Sequence, residues 1–344
     1  MSISKALGSK VNSQNTIEKR LEIQRLLEPT LVVSSSAGSD VVKGLTQTRK
    51  SLPPRYFYDD RGSELFEQIC ELPEYYVTRT ETAILQKCAN EIAKITGDCE
   101  LVELGSGSST KTRIILDAYK QLGYPLRYLP IDVSAGMLET SAKQLLADYP
   151  SLQVHAIAGT YEMALAQLIP KQLPSRMTCF IGSTLGNLNP QECDVFLSEI
   201  QDAMHVGEYF LLGVDLQKPK HILEAAYDDS QGVTAAFNLN MLDHLNRRFE
   251  GNFDTTQFEH LAFYNETENQ IEMHLKSLCE QTVELRALNL SVHFEKNETI
   301  LTEISRKFDI NTIKQQLAAK GLIPLHVWKD ANEWFGLLLC QLQA

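Results

Sequence analysis

The sequence contains no C-x-x-C pair, and its seven cysteines (Cys70, Cys88, Cys99, Cys179, Cys193, Cys279 and Cys340) are odd in number and widely scattered. That usage excludes a disulfide framework and points to reduced thiols in a cytoplasmic protein. No apolar run approaches the ~20 residues that span a bilayer. The polar opening, MSISKALGSKVNSQ, lacks the apolar stretch of a secretory signal. Basic residues form no stripe beyond short pairs such as Arg247-Arg248, and the net charge of −12 repels polyanions. Neither a nucleic acid nor a membrane is therefore an expected partner. The eight histidines include no H-E-x-x-H or similar pair, so no metal is expected. What is present is ordinary for a globular chain with a proper core: 344 residues, 43% apolar and 22% charged, enough for one large or two modest domains. No internal repeat or low-complexity linker divides it, and residues 1–17, polar and rich in Ser and Asn, are expected to be a flexible N-terminus.

A change of rhythm near Asp98 marks a boundary. From there short apolar runs alternate with amphipathic stretches, the signature of βα units that build a parallel sheet. Strands are expected at Cys99 to Leu104, Arg127 to Asp132, about Gln153 to Ile157, Met177 to Gly182 and Tyr209 to Asp215. Helices are expected from about Thr110 (TKTRIILDAYKQL) and after Ser134, which suits an N-cap. Beyond Asp215 come long helical patterns (AAFNLNMLDHLNRRF) and then alternation (VELRALNLSVHF), which suits a half-buried antiparallel sheet. From Ile310 the parallel style returns, with a helix closed by Gly321. Two strands follow, about Leu322 to Trp328 and Trp334 to Leu342, and the polar turn KDAN joins them into a hairpin. The expected fold class is α/β: a class I methyltransferase (Rossmann-like) parallel sheet with a terminal antiparallel hairpin strand, plus an α+β domain inserted before the last helix.

Glycines cluster where such a sheet binds ligands, at the carboxyl end of the first strand, in Glu103-Leu-Gly105-Ser-Gly107-Ser-Ser. Gly105 and Gly107 let the backbone turn sharply and a ligand approach closely. Asp132, at the end of the next strand, offers a carboxylate to the two hydroxyls of a ribose. Taken alone the pattern fits NAD, FAD or S-adenosylmethionine. A dinucleotide needs the third glycine of G-x-G-x-x-G, and that position holds Thr110. The missing glycine and the terminal hairpin weigh against an NAD-dependent oxidoreductase. Lys111, opening the helix, faces either a cofactor carboxylate or solvent. Gly182-Ser-Thr-Leu-Gly186 looks superficially like a nucleophile elbow, but its serine stands one place too early. Asp228-Asp229 suit a helix cap or turn better than a catalytic pair.

Several blocks carry a family resemblance: YFYDDRGSELFEQI (56–69) with LPEYYVTRTE (72–81), ELGSGSSTKTR (103–113), FIGSTLGNLNP (180–190), AYDDSQGVTAAFN (226–238), and IEMHLKS (271–277) with LTEISRKF (301–308). Across roughly residues 50 to 344 the chain closely resembles the histidine Nα-methyltransferases of ergothioneine biosynthesis. The resemblance implies two interlocked domains: 80–217 with 306–344 for S-adenosylmethionine, and 18–79 with 218–305 for the substrate. It implies S-adenosylmethionine as methyl-donor co-substrate, free L-histidine as the small-molecule partner, trimethylation to hercynine, and a monomeric enzyme without a metal. Carried across position by position, Tyr58, Gly105, Lys111, Asp132 and Thr184 match the family's donor contacts, with Gly107 in the same loop. Thr160 and Tyr161 are expected beside the adenine, although Thr160 stands where many relatives have an acid. Tyr75, Asn187 and Tyr227 match residues that hold the amino acid's carboxylate and amine. Met273, Glu303 and Ser305 match residues that line the side-chain pocket. Tyr58, Asn187 and Tyr227 are thus the expected catalytic residues.

The substrate assignment turns on Glu303. An imidazole N–H paired with a buried carboxylate makes a charge-assisted hydrogen bond worth roughly 1.5–3 kcal/mol. A site built around that pair rejects amino acids lacking the donor, because the carboxylate would be left unpaired. Ser305, two residues along a strand, points to the same face and can serve the other ring nitrogen. Met273 suits core and pocket wall alike. A betaine synthase for tyrosine or tryptophan would favour an apolar residue at 303, which makes it the rival within the fold. The rival of another class is a binding protein that has lost turnover.

Overall fold

The computed structural model describes residues 19–26 and 38–344; the expected flexible stretch 1–17 lies outside the described residues. In chain order the strands are β1 (Leu21–Arg25), β2 (Lys50–Ser51), β3 (Cys99–Leu104), β4 (Arg127–Asp132), β5 (Gln153–Ala158), β6 (Ser175–Phe180), β7 (Tyr209–Asp215), β8 (Phe258–Asn265), β9 (Gln270–Ser277), β10 (Gln281–Leu285), β11 (Leu290–Phe294), β12 (Thr299–Arg306), β13 (Leu322–Lys329) and β14 (Phe335–Leu342). They form an eight-stranded sheet of order β1-β5-β4-β3-β6-β7-β14-β13, a four-stranded sheet of order β2-β12-β9-β8, and a β10–β11 ribbon.

The large sheet is parallel from β1 to β7, and β14 runs antiparallel to both of its neighbours. Every residue of β3 is buried, as is all of β14 except Gln341, the continuous apolar pattern expected of strands covered on both faces. Helices Tyr76–Thr96 and Thr110–Gln121 pack on each other, and the first of them also packs on β14. The hairpin turn is held by Asp330, whose carboxylate accepts the N–H groups of Asn332, Trp334 and Phe335. The expected α/β class, parallel sheet and terminal hairpin are all present. Two details differ from expectation. Strand β6 ends two residues early, at Phe180, because Gly182 takes φ +86° and turns the chain away. Leu21–Arg25, within the segment expected to begin the substrate domain, adds an outer strand to the large sheet, in parallel register with β5.

Strand order reverses at β3, whose neighbours are β4 on one side and β6 on the other, so the loops after β3 and β6 open into one crevice. The small sheet is half-buried. Along β9 the residues Ile271, Met273, Leu275 and Ser277 alternate inward, toward helix Val233–Phe249, which contributes buried Phe237, Met241, Leu242 and Leu245. Strand β12 joins the two sheets: beyond Arg306, the Phe308 N–H donates to the carbonyl of Asp215 at the end of β7 (2.8 Å). This tie sets the small sheet's inner face over the crevice of the large one. No helix among the described residues is long and apolar enough to cross a membrane.

Candidate active site

The wall of the crevice after β3 is made of backbone. Gly105 (φ +74°) and Gly107 (φ +48°) hold conformations that L side chains rarely adopt. A Cβ on Gly105 would stand 2.7 Å from the Tyr161 hydroxyl, whereas one on Gly107 would meet open space. The Gly107 N–H donates to Asp132 Oδ2 (3.0 Å), and Ser134 N–H donates to Oδ1 (2.9 Å), so the carboxylate ends β4 with its direction fixed. The Ser106 hydroxyl is buried without a hydrogen-bond partner among the described residues. Tyr161 packs its ring edge on Phe180, with centroids 5.5 Å apart. Thr160 caps the helix Tyr161–Leu165, its hydroxyl oxygen accepting the Met163 N–H at 3.4 Å. Beneath the crevice Glu103 accepts hydrogen bonds from Thr112 and Tyr128, and burial pushes its carboxyl up to about 7.

The far side of the crevice is closed by Glu81, a residue the family blocks contain but sequence reasoning gave no role. Its carboxylate is fully buried, accepts the Gly182 N–H (2.8 and 2.9 Å) and pairs with the Lys111 ammonium. One side chain therefore bridges the loop after β6 and the helix after β3. Lys111 makes no other hydrogen bond to a described residue, which leaves two of an ammonium's three N–H groups for a ligand. Thr184 opens the short 3-10 turn Thr184–Asn187, its hydroxyl donating to the Ile181 carbonyl (3.2 Å). A Cβ on Gly186 would fall 2.9 Å from the Arg306 carbonyl, so this turn lies directly on β12 and places Asn187 at its end.

The second wall comes from segments far apart in the chain. Tyr58, 43% exposed into the cleft, touches the rings of Phe66 and Phe237. Its phenol is pushed well above the ordinary value, first by desolvation and then by Glu303, Tyr161, Cys70 and Asp132. Tyr58 thus stands between the Asp132 and Tyr161 side of the cleft and the Glu303 side. Tyr75 meets Tyr227 edge-on, with centroids 6.1 Å apart. Glu303 lies opposite buried Met273 in the β12–β9 ladder, just past a bulge, so the two share a face with Ser305. The Glu303 carboxylate makes no hydrogen bond or ion pair with a described residue, and desolvation raises its pKa to about 7 despite the opposing pull of Lys307.

Behind Tyr227 lies a buried network. The Tyr227 and Ser305 hydroxyls are hydrogen-bonded (2.8 Å), and the Lys307 ammonium donates to both, at 3.0 and 2.8 Å. Lys307 is also paired with Asp215 (2.8 Å), which takes the Tyr76 hydroxyl (2.8 Å) and the Lys218 ammonium. Burial opposes both charges of the Lys307–Asp215 pair, yet each partner outweighs it: the Asp215 carboxyl stays below its ordinary value and the Lys307 ammonium above. Lys218, by contrast, is brought down to about 8 by burial.

The loop after β3, with two glycines at positive φ, the fixed Asp132 carboxylate and the buried Ser106 hydroxyl, stands at the carboxyl end of the parallel sheet, where open α/β sheets bind ligands. The family model described as "Histidine-specific methyltransferase, SAM-dependent" matches residues 37–342. The chain belongs to this family. It is 45% identical over 300 residues to the histidine N-alpha-methyltransferase of Mycolicibacterium smegmatis, covering 87% of this chain and 93% of that one. To ergothioneine biosynthesis protein 1 of Neurospora crassa it is 31% identical over 83% of its length and 32% of the longer fungal protein. A solved S-adenosylmethionine-dependent methyltransferase from Clostridium acetobutylicum is similar with a TM-score of 0.40, at 10% identity over 90% of this chain and 98% of that one. The family member described here is an S-adenosylmethionine-dependent methyltransferase.

Sequence reasoning missed Glu81, Lys307, Asp215, Lys218 and Tyr76. A weak signal existed for Asp215, an acid ending an apolar strand, and for Lys307, a charge directly after the β12 pattern. Asp229 makes the cap expected of it, accepting the N–H groups of Gln231, Val233 and Thr234. Among the described residues no group of three or more His, Cys, Asp or Glu is arranged to hold a metal.

Proposed function

We propose that this enzyme methylates the α-amino group of free L-histidine, adding three methyl groups to give hercynine. The observation that carries the substrate is Glu303, an acceptor that takes no hydrogen bond from a described residue and whose carboxyl is raised by desolvation. A partly buried, unpaired carboxylate is costly unless a ligand completes it, and an imidazole N–H does so. The 45% identity to a histidine N-alpha-methyltransferase supports the same substrate.

In this reading Gly105, Gly107, Lys111, Asp132, Thr184 and Tyr58 hold the donor, with Thr160 and Tyr161 beside its adenine. Tyr75, Asn187 and Tyr227 hold the amino acid's carboxylate and amine, while Met273, Glu303 and Ser305 take its side chain. Chain segments 80–217 and 306–344, with Leu21–Arg25, serve the donor, and residues 38–79 and 218–305 serve the amino acid. Bound S-adenosylmethionine supplies an electrophilic methyl on a sulfonium. The protein's contribution is alignment of a neutral nitrogen in line with that methyl, the largest effect open to a two-substrate site. An α-amino group has a pKa near ~8 in a peptide and higher in a free amino acid. Tyr75 and the Asn187 amide donate to its carboxylate and Tyr227 accepts from its amine, while the two ammonium groups behind Tyr227, Lys307 and Lys218, share the Asp215 carboxylate. After the N–C bond forms, the nitrogen must lose a proton before the next transfer, and Tyr58, between the two halves of the cleft, is the proposed relay. An unchanged rate of the second and third transfers in Tyr58→Phe would remove that role.

The seven cysteines are free, which supports a reducing, cytosolic setting. The reading includes a monomer, as the family resemblance implies; size-exclusion chromatography with light scattering tests it. The function is tested by mass spectrometry after incubation with S-adenosylmethionine and all twenty amino acids. A gain of three methyl groups on histidine alone is expected, and methylation of tyrosine or tryptophan instead would overturn the reading of Glu303.

A further inference from the structure

Lys307 is fully buried and lies behind two of the residues that take the amino acid, yet the proposed function gives it no role. Its three N–H groups are all committed: to Tyr227 Oη at 3.0 Å, to Ser305 Oγ at 2.8 Å and to Asp215 Oδ2 at 2.8 Å. Lys307 therefore has nothing left for a substrate, but it dictates what the two hydroxyls can offer. A hydroxyl carries one proton and two lone pairs. The bond between Tyr227 and Ser305 uses one of their two protons. The phenol is the stronger acid of the pair, so it donates and the serine accepts. Ser305 Oγ then accepts twice, from Lys307 and from Tyr227, and both its lone pairs are filled. Its own proton remains, and it can be given only to something in the cleft.

Two residues earlier on the same face of β12 stands Glu303, with the opposite character. Once ionised it can only accept. The pocket wall thus presents one acceptor and one donor at a two-residue spacing, and behind the donor lies a cluster of two lysines sharing the Asp215 carboxylate. A ring carrying a proton on both nitrogens would face Ser305 with a donor against a donor, and would carry its positive charge toward that cluster.

We propose that Lys307 is a positioning residue that locks Ser305 as a hydrogen-bond donor, so that the site takes the imidazole ring in its neutral form, with N–H toward Glu303 and the bare nitrogen toward Ser305. This rests on the reading of histidine as the substrate. Lys307 acts through Ser305 and Tyr227 and touches no reacting atom. It follows that binding selects one tautomer of the uncharged ring, and that the amino acid's ammonium, not its ring, is the group that must shed a proton inside the site.

The first test needs no variant. Histidine labelled with nitrogen-15 in the ring is bound to the wild-type enzyme with S-adenosylhomocysteine, which stops turnover. Nitrogen chemical shifts are then read at a pH of about 7.5, where free histidine is mostly neutral in its ring and spread over both tautomers. One protonated and one bare ring nitrogen are expected, with the proton held on a single nitrogen. Two protonated nitrogens in the bound ring overturn the inference and leave the substrate reading intact. A wild-type enzyme that neither binds nor methylates histidine sinks both.

The second test ties the effect to Lys307. Lys307→Met, or Lys307→Met with Asp215→Asn if the single change does not fold, should raise KM for histidine about tenfold or more, the loss of a charge-assisted contact. KM for S-adenosylmethionine should stay within about twofold, a split that general unfolding would not give. In a Ser305→Ala background the same change should have little further effect on the histidine KM, because the residue through which it acts is gone. A folded Lys307 variant with wild-type histidine KM overturns the inference.

Discussion

Around the loop after β3 the polar contacts are made mostly by backbone: the Gly107 and Ser134 N–H groups fix Asp132, and two glycines at positive φ shape the wall. Around β12 they are made by side chains drawn from positions 76, 215, 218, 227, 305 and 307, brought together only by folding. The first region tolerates little change in conformation, although it too holds buried carboxylates, Glu81 and Glu103. The second tolerates little change in charge: removing one partner from a buried ion pair typically costs 3–5 kcal/mol, because the other is left uncompensated. A donor common to many enzymes can be held by a local turn, whereas discrimination between amino acids requires placed donors and acceptors that no short segment supplies.

The sharpest way to break the backbone side is Gly105→Val. The new side chain would collide with the Tyr161 hydroxyl and force a β-branched residue to φ +74°, a strain of order 1–3 kcal/mol before any ligand is considered. Affinity for S-adenosylmethionine, measured by calorimetry, should fall by about a hundredfold or more. A binding constant within threefold of wild type would mean that the loop does not hold the donor.

The matching cut on the side-chain side is Glu303→Ala. If the carboxylate reads the ring N–H, kcat/KM for histidine should fall roughly 10- to 100-fold, the worth of one charge-assisted hydrogen bond. KM for S-adenosylmethionine should hardly move, and the ratio of activity on tyrosine to that on histidine should rise. Equal losses on all amino acids would make Glu303 a structural residue.

Glu81 tests whether the two regions are as separate as they look, since it is a buried side chain serving the donor crevice. In Glu81→Gln the amide keeps the shape but loses the charge that pairs with Lys111. KM for S-adenosylmethionine should rise about tenfold, with KM for histidine altered less. A larger effect on histidine than on the donor would mean that Glu81 organises the whole cleft.

The same contrast explains what could be read without the structure. The α/β class, the parallel strands and the hairpin follow from apolar runs whose period and spacing are local properties, of which β14 is the longest uninterrupted example up to Gln341. Gly105, Gly107 and Asp132 were legible because a tight turn and a strand-end acid leave marks within one segment. Glu303 and Ser305 could be placed on one strand face by their spacing, but their chemistry needed the family resemblance. Lys307, Asp215 and Glu81 left almost no mark, since a lone charge beside an apolar strand looks like any solvated residue until its partner elsewhere in the chain is known. The edge strand Leu21–Arg25 was illegible for a similar reason: five residues of mixed polarity become a strand through the free edge of β5.

The smallest effect separates function from stability at Glu303. Burial raises its carboxyl to about 7, above the ordinary value, so the folded chain holds this proton more tightly than the unfolded chain. The stability it contributes is therefore complete at pH values below about 4.3, the unfolded value, and is lost as pH rises through about 7. Glutamine cannot ionise. Glu303→Gln should accordingly be more stable than wild type at pH 8, by about 2–4 °C in melting temperature for a gain of order 1 kcal/mol, and should show little difference at pH 5. The same variant should lose activity on histidine, because the amide offers the ring N–H only an uncharged carbonyl oxygen, a weaker acceptor than the carboxylate. A melting curve recorded without ligand at both pH values decides the matter. Equal stability at pH 8 would mean that the cleft already solvates the carboxylate, and that Glu303 stands ready for its partner at no cost to the fold.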